Sequence, residues 1–177
     1  NKILKYLILI SILSYFFGIF NTILEIDAMQ YASMSRELLR GENYLFLFDN
    51  GKPYLDKPPL IFWITGLFFK LFGPYEITYR IPSLLFSLLT IYSTFKFSRL
   101  YYSERTAEIS ALILASCEAL IIMNADVRTD IFLIGPMMLA IWQLSSYFIF
   151  HSWLNLIVGS VAISLAMMGK GPLGLII

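Results

Sequence analysis

The sequence predicts an all-α, polytopic transmembrane helix bundle. Hydrophobic residues make up 58% of the 177-residue chain and charged residues only 14%. Apolar runs recur near the ~20-residue length that crosses ~30 Å of hydrocarbon. Between the first run and the next full-length one lies a polar stretch with helical periodicity, which adds juxtamembrane amphipathic helices to the bundle. A net charge of +1 leaves no basic footprint for nucleic acid, so no nucleic-acid partner is expected.

The first span is expected over 6–24. Lys2, Lys5 and this run imitate a signal peptide, but no small-residue cleavage site follows, and a retained span is expected. The chain starts without Met and stops inside an apolar run, so it reads as the N-terminal fragment of a longer protein.

Residues 25–78 form the first loop. Within it Ala28, Tyr31, Ala32, Leu38 and Leu39 share one helical face, and Gln30, Ser33, Arg36, Glu37 and Arg40 the other. An amphipathic helix lying along the membrane surface and ended by Gly41 is predicted. Asn50-Gly51 marks a tight turn. The apolar run Leu60 to Phe72 is closed by Gly73-Pro74 and is too short for a full crossing, which favours an interfacial or re-entrant helix. Further spans are expected over 79–98, 107–125, 131–150 and 152–168, with another starting at 172. If Leu60 to Phe72 dips and returns, Asp27, Asp56, Lys57, Asp126, Asp130 and Lys170 all emerge on one face. The positive-inside rule is split: Lys2, Lys5, Lys96, Arg99 and Arg105 fall on one side, and more cations on the other.

Ionisable groups at the membrane edge are costly unless used. Two readings stand for Asp27: an N-cap with Gln30 three residues on, or a base facing a substrate. Lys57, in Asp56-Lys57-Pro58-Pro59, reads as a snorkelling cation paired with Asp56 or as a phosphate-binding cation, with Asp56 a metal ligand in the second case. The link from Asn124 to Asp130 holds Arg128 between two carboxylates. It reads as a salt-bridged turn, or as a source of an acidic partner for Lys57 or a metal contact. Lys170 lies between Gly169 and Gly171, glycines that would let backbone amides approach an anion. Glu118 reads as an intramembrane acid, protonated and bonded to a neighbouring helix. Cys117 reads as a packing residue within a span, and His151 as an interface residue on the opposite face.

The order of these motifs resembles the dolichyl-phosphate-mannose–protein mannosyltransferase-like membrane glycosyltransferases of the GT-C class, nearest the aminoarabinose transferase branch that modifies lipid A. The likeness rests on Asp27 with Tyr31-Ala32 and Ser35-Arg36-Glu37, the run from Asn50 to Pro59, Gly73, Arg80-Ile81-Pro82, Arg128 with Asp130, and Lys170-Gly171. It departs at Ala28, where an acid often stands, and at Gln30, where that branch has Arg.

The resemblance implies that residues 1–177 are the N-terminal part of a GT-C transmembrane domain in the inner or plasma membrane. It implies an inverting transfer, at the extracytoplasmic face, of a sugar from a polyprenyl-phosphate donor to a lipid, glycan or protein acceptor. Asp27 then corresponds to the catalytic base and Lys57 to the phosphate-binding cation, with Lys170 beside it. Asp130, Arg128 and Gln30 support them. Asp56 corresponds to a metal-binding position, which implies a divalent metal ion. The alternatives are a lipid-linked-sugar flippase and a non-catalytic scaffold. Clustered surface charge and the lack of an internal repeat favour the enzyme.

Overall fold

The computed structural model describes residues 2–20, 25–40 and 44–176. Helix α1 (Lys2–Gly18) is followed by the surface helix α2 (Ile26–Arg40), then by the two-residue strands β1 (Phe48–Asp49) and β2 (Lys52–Pro53). Helices α3 (Leu60–Phe72), α4 (Glu76–Tyr101), α5 (Glu104–Ala115), α6 (Glu118–Ala125), α7 (Thr129–Phe150) and α8 (Trp153–Lys170) follow, and a 3-10 helix spans Gly171–Leu175. The architecture is helical, with one antiparallel hairpin whose turn residues Asn50 and Gly51 both have positive φ, as a tight hairpin turn requires.

Helix α2 turns Ala28, Tyr31, Met34 and Leu38 inward at the expected spacing and packs on α3. Gly41, expected to end it, lies outside the described residues, as does part of the first expected span (residues 21–24). Helix α3 has the bounds read from Pro59 and Gly73, since proline is tolerated at a helix start and Gly73 (φ 87°) terminates it. At about 20 Å it is shorter than the hydrocarbon layer.

Among the described residues, two helices are long and apolar enough to cross a membrane, Thr129–Phe150 and Trp153–Leu175, and a third if α5 and α6 count as one broken span. Helix α4 is longer than either, but it carries many hydroxyls. Thr90 Oγ1 donates to the Phe86 carbonyl (2.8 Å) and Thr94 Oγ1 to the Thr90 carbonyl (2.9 Å), so these groups are satisfied within the helix.

The single span expected over 107–125 is instead two helices bent by 53°. The break lies at Ser116 and Cys117: the Ser116 N–H closes α5 on the Leu112 carbonyl, and Cys117 turns to extended backbone (φ −68°, ψ 117°) before α6 begins. Glu118 then opens α6 in its first turn, where a carboxylate complements the helix dipole. Among the described residues, Glu118 is an exposed acid at the start of α6 without the expected hydrogen bond to a neighbouring helix, and Cys117 is an exposed residue at the break.

Candidate functional site

Three buried polar side chains fix the elements that carry the charged residues. Arg80, on α4, donates from Nη1 to the Ile19 carbonyl (2.6 Å) and from Nε to the Ala125 carbonyl (3.1 Å). One guanidinium thus caps the chain where α1 and α6 end. Asn124 accepts from the Ser87 hydroxyl (3.2 Å) and donates to the Tyr15 carbonyl (3.3 Å), which joins α6 to α4 and α1. Tyr79 donates its hydroxyl to the Ala28 carbonyl (2.7 Å), pinning the first turn of α2 to α4. The Tyr15, Ile19 and Ala125 carbonyls lie at the C-terminal ends of their helices, where backbone acceptors lack intrahelical partners.

The link after α6 is held as tightly. The Arg128 N–H bonds to the Met123 carbonyl (3.1 Å), and between them Val127 is fully buried at φ 52°. A β-branched residue in this region costs about 1–3 kcal/mol and persists only where its surroundings dictate it. Asp126, Arg128 and Asp130 are fixed in consequence.

These constraints bring the acids and cations into one cavity of about 110 Å³, lined by Glu25, Asp27, Tyr31, Lys57, Asp126, Arg128, Asp130 and Lys170. Of the six residues expected on one face, Asp27, Lys57, Asp126, Asp130 and Lys170 line this cavity. Asp56 and Gln30 do not line the cavity.

Within the cavity the charges fall into two groups. Arg128 Nη2 meets Glu25 Oε2 at 2.6 Å, and Lys170 Nζ bonds to Asp130 Oδ1. Asp130 is therefore the partner of Lys170 and not of Lys57, and Lys170 is already occupied by a carboxylate. Asp27 and Lys57 have no ion-pair or hydrogen-bond partner among the described residues.

Other expectations need correction. Asp27 lies in the first turn of α2, one residue inside it, and Gln30 donates instead to Asp49 Oδ2 (2.6 Å), so the two do not form a capping box. Gln30 serves to tie the hairpin to α2. Asp56 is exposed, with no salt bridge to Lys57. Gly169 does not open a path to an anion. A Cβ there would stand 2.5 Å from the Phe132 carbonyl oxygen, so its lack of a side chain lets α8 lie against α7.

Two site residues escaped the sequence reading. Glu25 was read only as the start of the loop, and Tyr31 as part of the apolar face and of the motif that carries the resemblance, with no role in the site. Tyr31 packs edge-on against Phe62 (5.5 Å between ring centres) while also lining the cavity. Its pKa is pushed above the ordinary tyrosine value, chiefly by burial and then by the neighbouring Asp27 carboxylate. It remains a phenol, a hydrogen-bond donor, at neutral pH.

No three Asp, Glu, His or Cys side chains converge among the described residues. Asp56 stands exposed and apart from the other carboxylates that line the cavity.

Comparison with known proteins supplies the context for this cavity. An uncharacterized protein of Aquifex aeolicus (strain VF5) is 33% identical over 188 residues, spanning 100% of this chain and 36% of that protein. The undecaprenyl phosphate-alpha-4-amino-4-deoxy-L-arabinose arabinosyl transferase of Wigglesworthia glossinidia brevipalpis is 26% identical over 156 residues, 85% of this chain and 28% of its own length. Among solved structures, ArnT from Cupriavidus metallidurans superimposes with a TM-score of 0.87 in the apo state and 0.86 bound to undecaprenyl phosphate. Sequence identities are 21% and 22%, and each match covers 97% of this chain and 33% of ArnT. This chain thus spans about a third of the length of these relatives, and its fold is that of a multi-pass GT-C membrane protein. Residues 56–177 match the family described as dolichyl-phosphate-mannose-protein mannosyltransferase, and the chain belongs to it.

Proposed function

We propose that this chain forms the donor-binding part of an inverting membrane glycosyltransferase. The enzyme would move a sugar from a polyprenyl-phosphate carrier to a lipid, glycan or protein acceptor outside the inner or plasma membrane. One observation carries the reading: a carboxylate, Asp27, and an ammonium, Lys57, face the same small cavity unpaired among the described residues, while the other cations lining it are neutralised by partners.

Lys57 binds the phosphate of the carrier. The oxygen of an acceptor hydroxyl attacks the anomeric carbon, its proton passes to Asp27, and the bond from that carbon to the phosphate oxygen breaks. The electron pair stays on that oxygen, where the Lys57 charge stabilises it. Attack opposite the leaving group inverts the anomeric centre. An acceptor that is already an anionic phosphate would need no deprotonation, and Asp27 would then orient it. The Tyr31 phenol donates a hydrogen bond within the cavity. The ion pairs Glu25–Arg128 and Asp130–Lys170 hold the walls.

The test is incubation of the purified full-length protein with a labelled polyprenyl-phosphate sugar. Acceptor-dependent release of the carrier phosphate is expected. Donor that stays intact with every acceptor class, while crossing the bilayer of a reconstituted vesicle, would replace transfer by transport.

A further inference from the structure

The bundle carries a second polar cavity at its other end. It measures about 490 Å³ and is lined by Lys96 and Arg99 of α4, Trp142, Gln143 and Ser146 of α7, and Asn155 of α8, among others. We propose that it binds the phosphate headgroup of an anionic membrane phospholipid, in the leaflet opposite the cavity that holds Asp27 and Lys57.

Its place in the fold comes first. Helix α7 passes from Asp130 in one cavity to Gln143 and Phe150 in the other, about 20–30 Å along the helix, and α8 runs back from Asn155 to Lys170. At this end Tyr92 meets Trp142 edge-on and Tyr147 lies beside Trp153, residue types that favour a membrane–water boundary. A headgroup there would sit at its natural depth.

The chemistry comes second. Lys96 Nζ stands 5.7 Å from the ring centre of Tyr92 and 5.6 Å from that of Trp142, so two aromatic faces hold it over the cavity. Among the described residues it has no carboxylate partner. Arg99 reaches Glu104 only at 4.0 Å, with both side chains more than half exposed, and such a pair is readily exchanged for a phosphate. The Gln143 and Asn155 amides have no hydrogen-bond partner among the described residues and supply neutral donors. A basic pocket where α4, α7 and α8 meet at the end of the bundle suits an anionic lipid. This proposal does not depend on the transfer reaction.

The experiment uses full-length protein in detergent, with bound lipid counted by native mass spectrometry. Titrations compare phosphatidylglycerol, phosphatidylcholine, and inorganic phosphate. Phosphatidylglycerol is expected to bind at least fivefold better than phosphatidylcholine, and to lose at least tenfold on combined Lys96→Gln and Arg99→Gln substitution. Lys57→Gln is expected to leave this binding unchanged. Should the double variant not purify, each single variant is expected to weaken retention at least threefold. Unchanged retention in these variants, loss of the lipid on Lys57→Gln instead, or inorganic phosphate competing at equal concentration would each overturn the proposal.

Discussion

Glu25 and Arg128 come from the first loop and from the link between α6 and α7, and they form an ion pair 2.6 Å long across one wall of the acidic cavity. Both side chains are partly exposed, so the pair contributes about 1 kcal/mol or less to stability. Its effect on function is expected to exceed that. Glu25→Gln and Arg128→Gln should each lower turnover, and a double-mutant cycle should show coupling between them. Purely additive losses in that cycle would remove the pair from the site's construction.

Asp27→Asn is expected to reduce transfer by roughly 10²–10⁴-fold, the range for loss of a general base. The protein should still insert in the membrane and retain the carrier lipid. A variant with near wild-type turnover and a hydroxyl acceptor would remove Asp27 from proton transfer.

Lys57→Gln tests the other unpaired charge. Loss of one charged hydrogen bond to phosphate is worth about 1.5–3 kcal/mol, so carrier-lipid affinity should fall by about 10- to 100-fold. Lys170→Gln removes a cation already bound to Asp130, and a smaller loss of carrier affinity is expected. Equal losses for the two would mean that the Asp130–Lys170 pair opens on binding.

Arg80 offers a test of architecture. It is 1% exposed and spans two backbone carbonyls, while its Nη2 has no partner among the described residues. Arg80→Met removes the donor from both carbonyls, at about 1–3 kcal/mol each where no other donor replaces it, and should lower thermal stability measurably. Arg80→Lys keeps the charge without the planar fork and should recover only part of the loss.

The raised pKa of Tyr31 has a consequence in alkali. A phenol whose folded pKa lies above its unfolded value contributes nothing to pH dependence below the unfolded pKa, about 10. Stability is then lost as pH rises past that point, because the unfolded chain ionises first. Tyr31→Phe should unfold less steeply between pH 9.5 and 11 than the parent chain, as followed by circular dichroism. Identical alkaline slopes would contradict the burial of this ring.

What could be read from the sequence was whatever depends on local chemistry. The bounds of α3 follow from Pro59 and Gly73, and the inward face of α2 from the spacing of Ala28, Tyr31 and Leu38. Of the two readings of Asp27, the cap gives way because Asp27 makes as good a first-turn residue as a cap, and only the backbone separates the two. The break at Ser116 was missed because neither Gly nor Pro marks it, although a serine followed by Glu118 was the available signal. The choice of partners was beyond local reading altogether. Nothing near Lys170 in sequence points to Asp130, or near Arg128 to Glu25, since three-dimensional packing alone makes them neighbours. The departure of Gln30 towards Asp49 has the same origin.

The elbow between α5 and α6 sets where the second loop arrives. Helix α6 is eight residues long, about 12 Å, so continuing α5 straight would swing its far end aside by about 10 Å. Asp126 and the residues after it would then point away from Asp27. Two ordinary residues, Ser116 and Cys117, thus act as a hinge pin that aims one loop at the other, and straightening it would dismantle the cavity without touching any charged group.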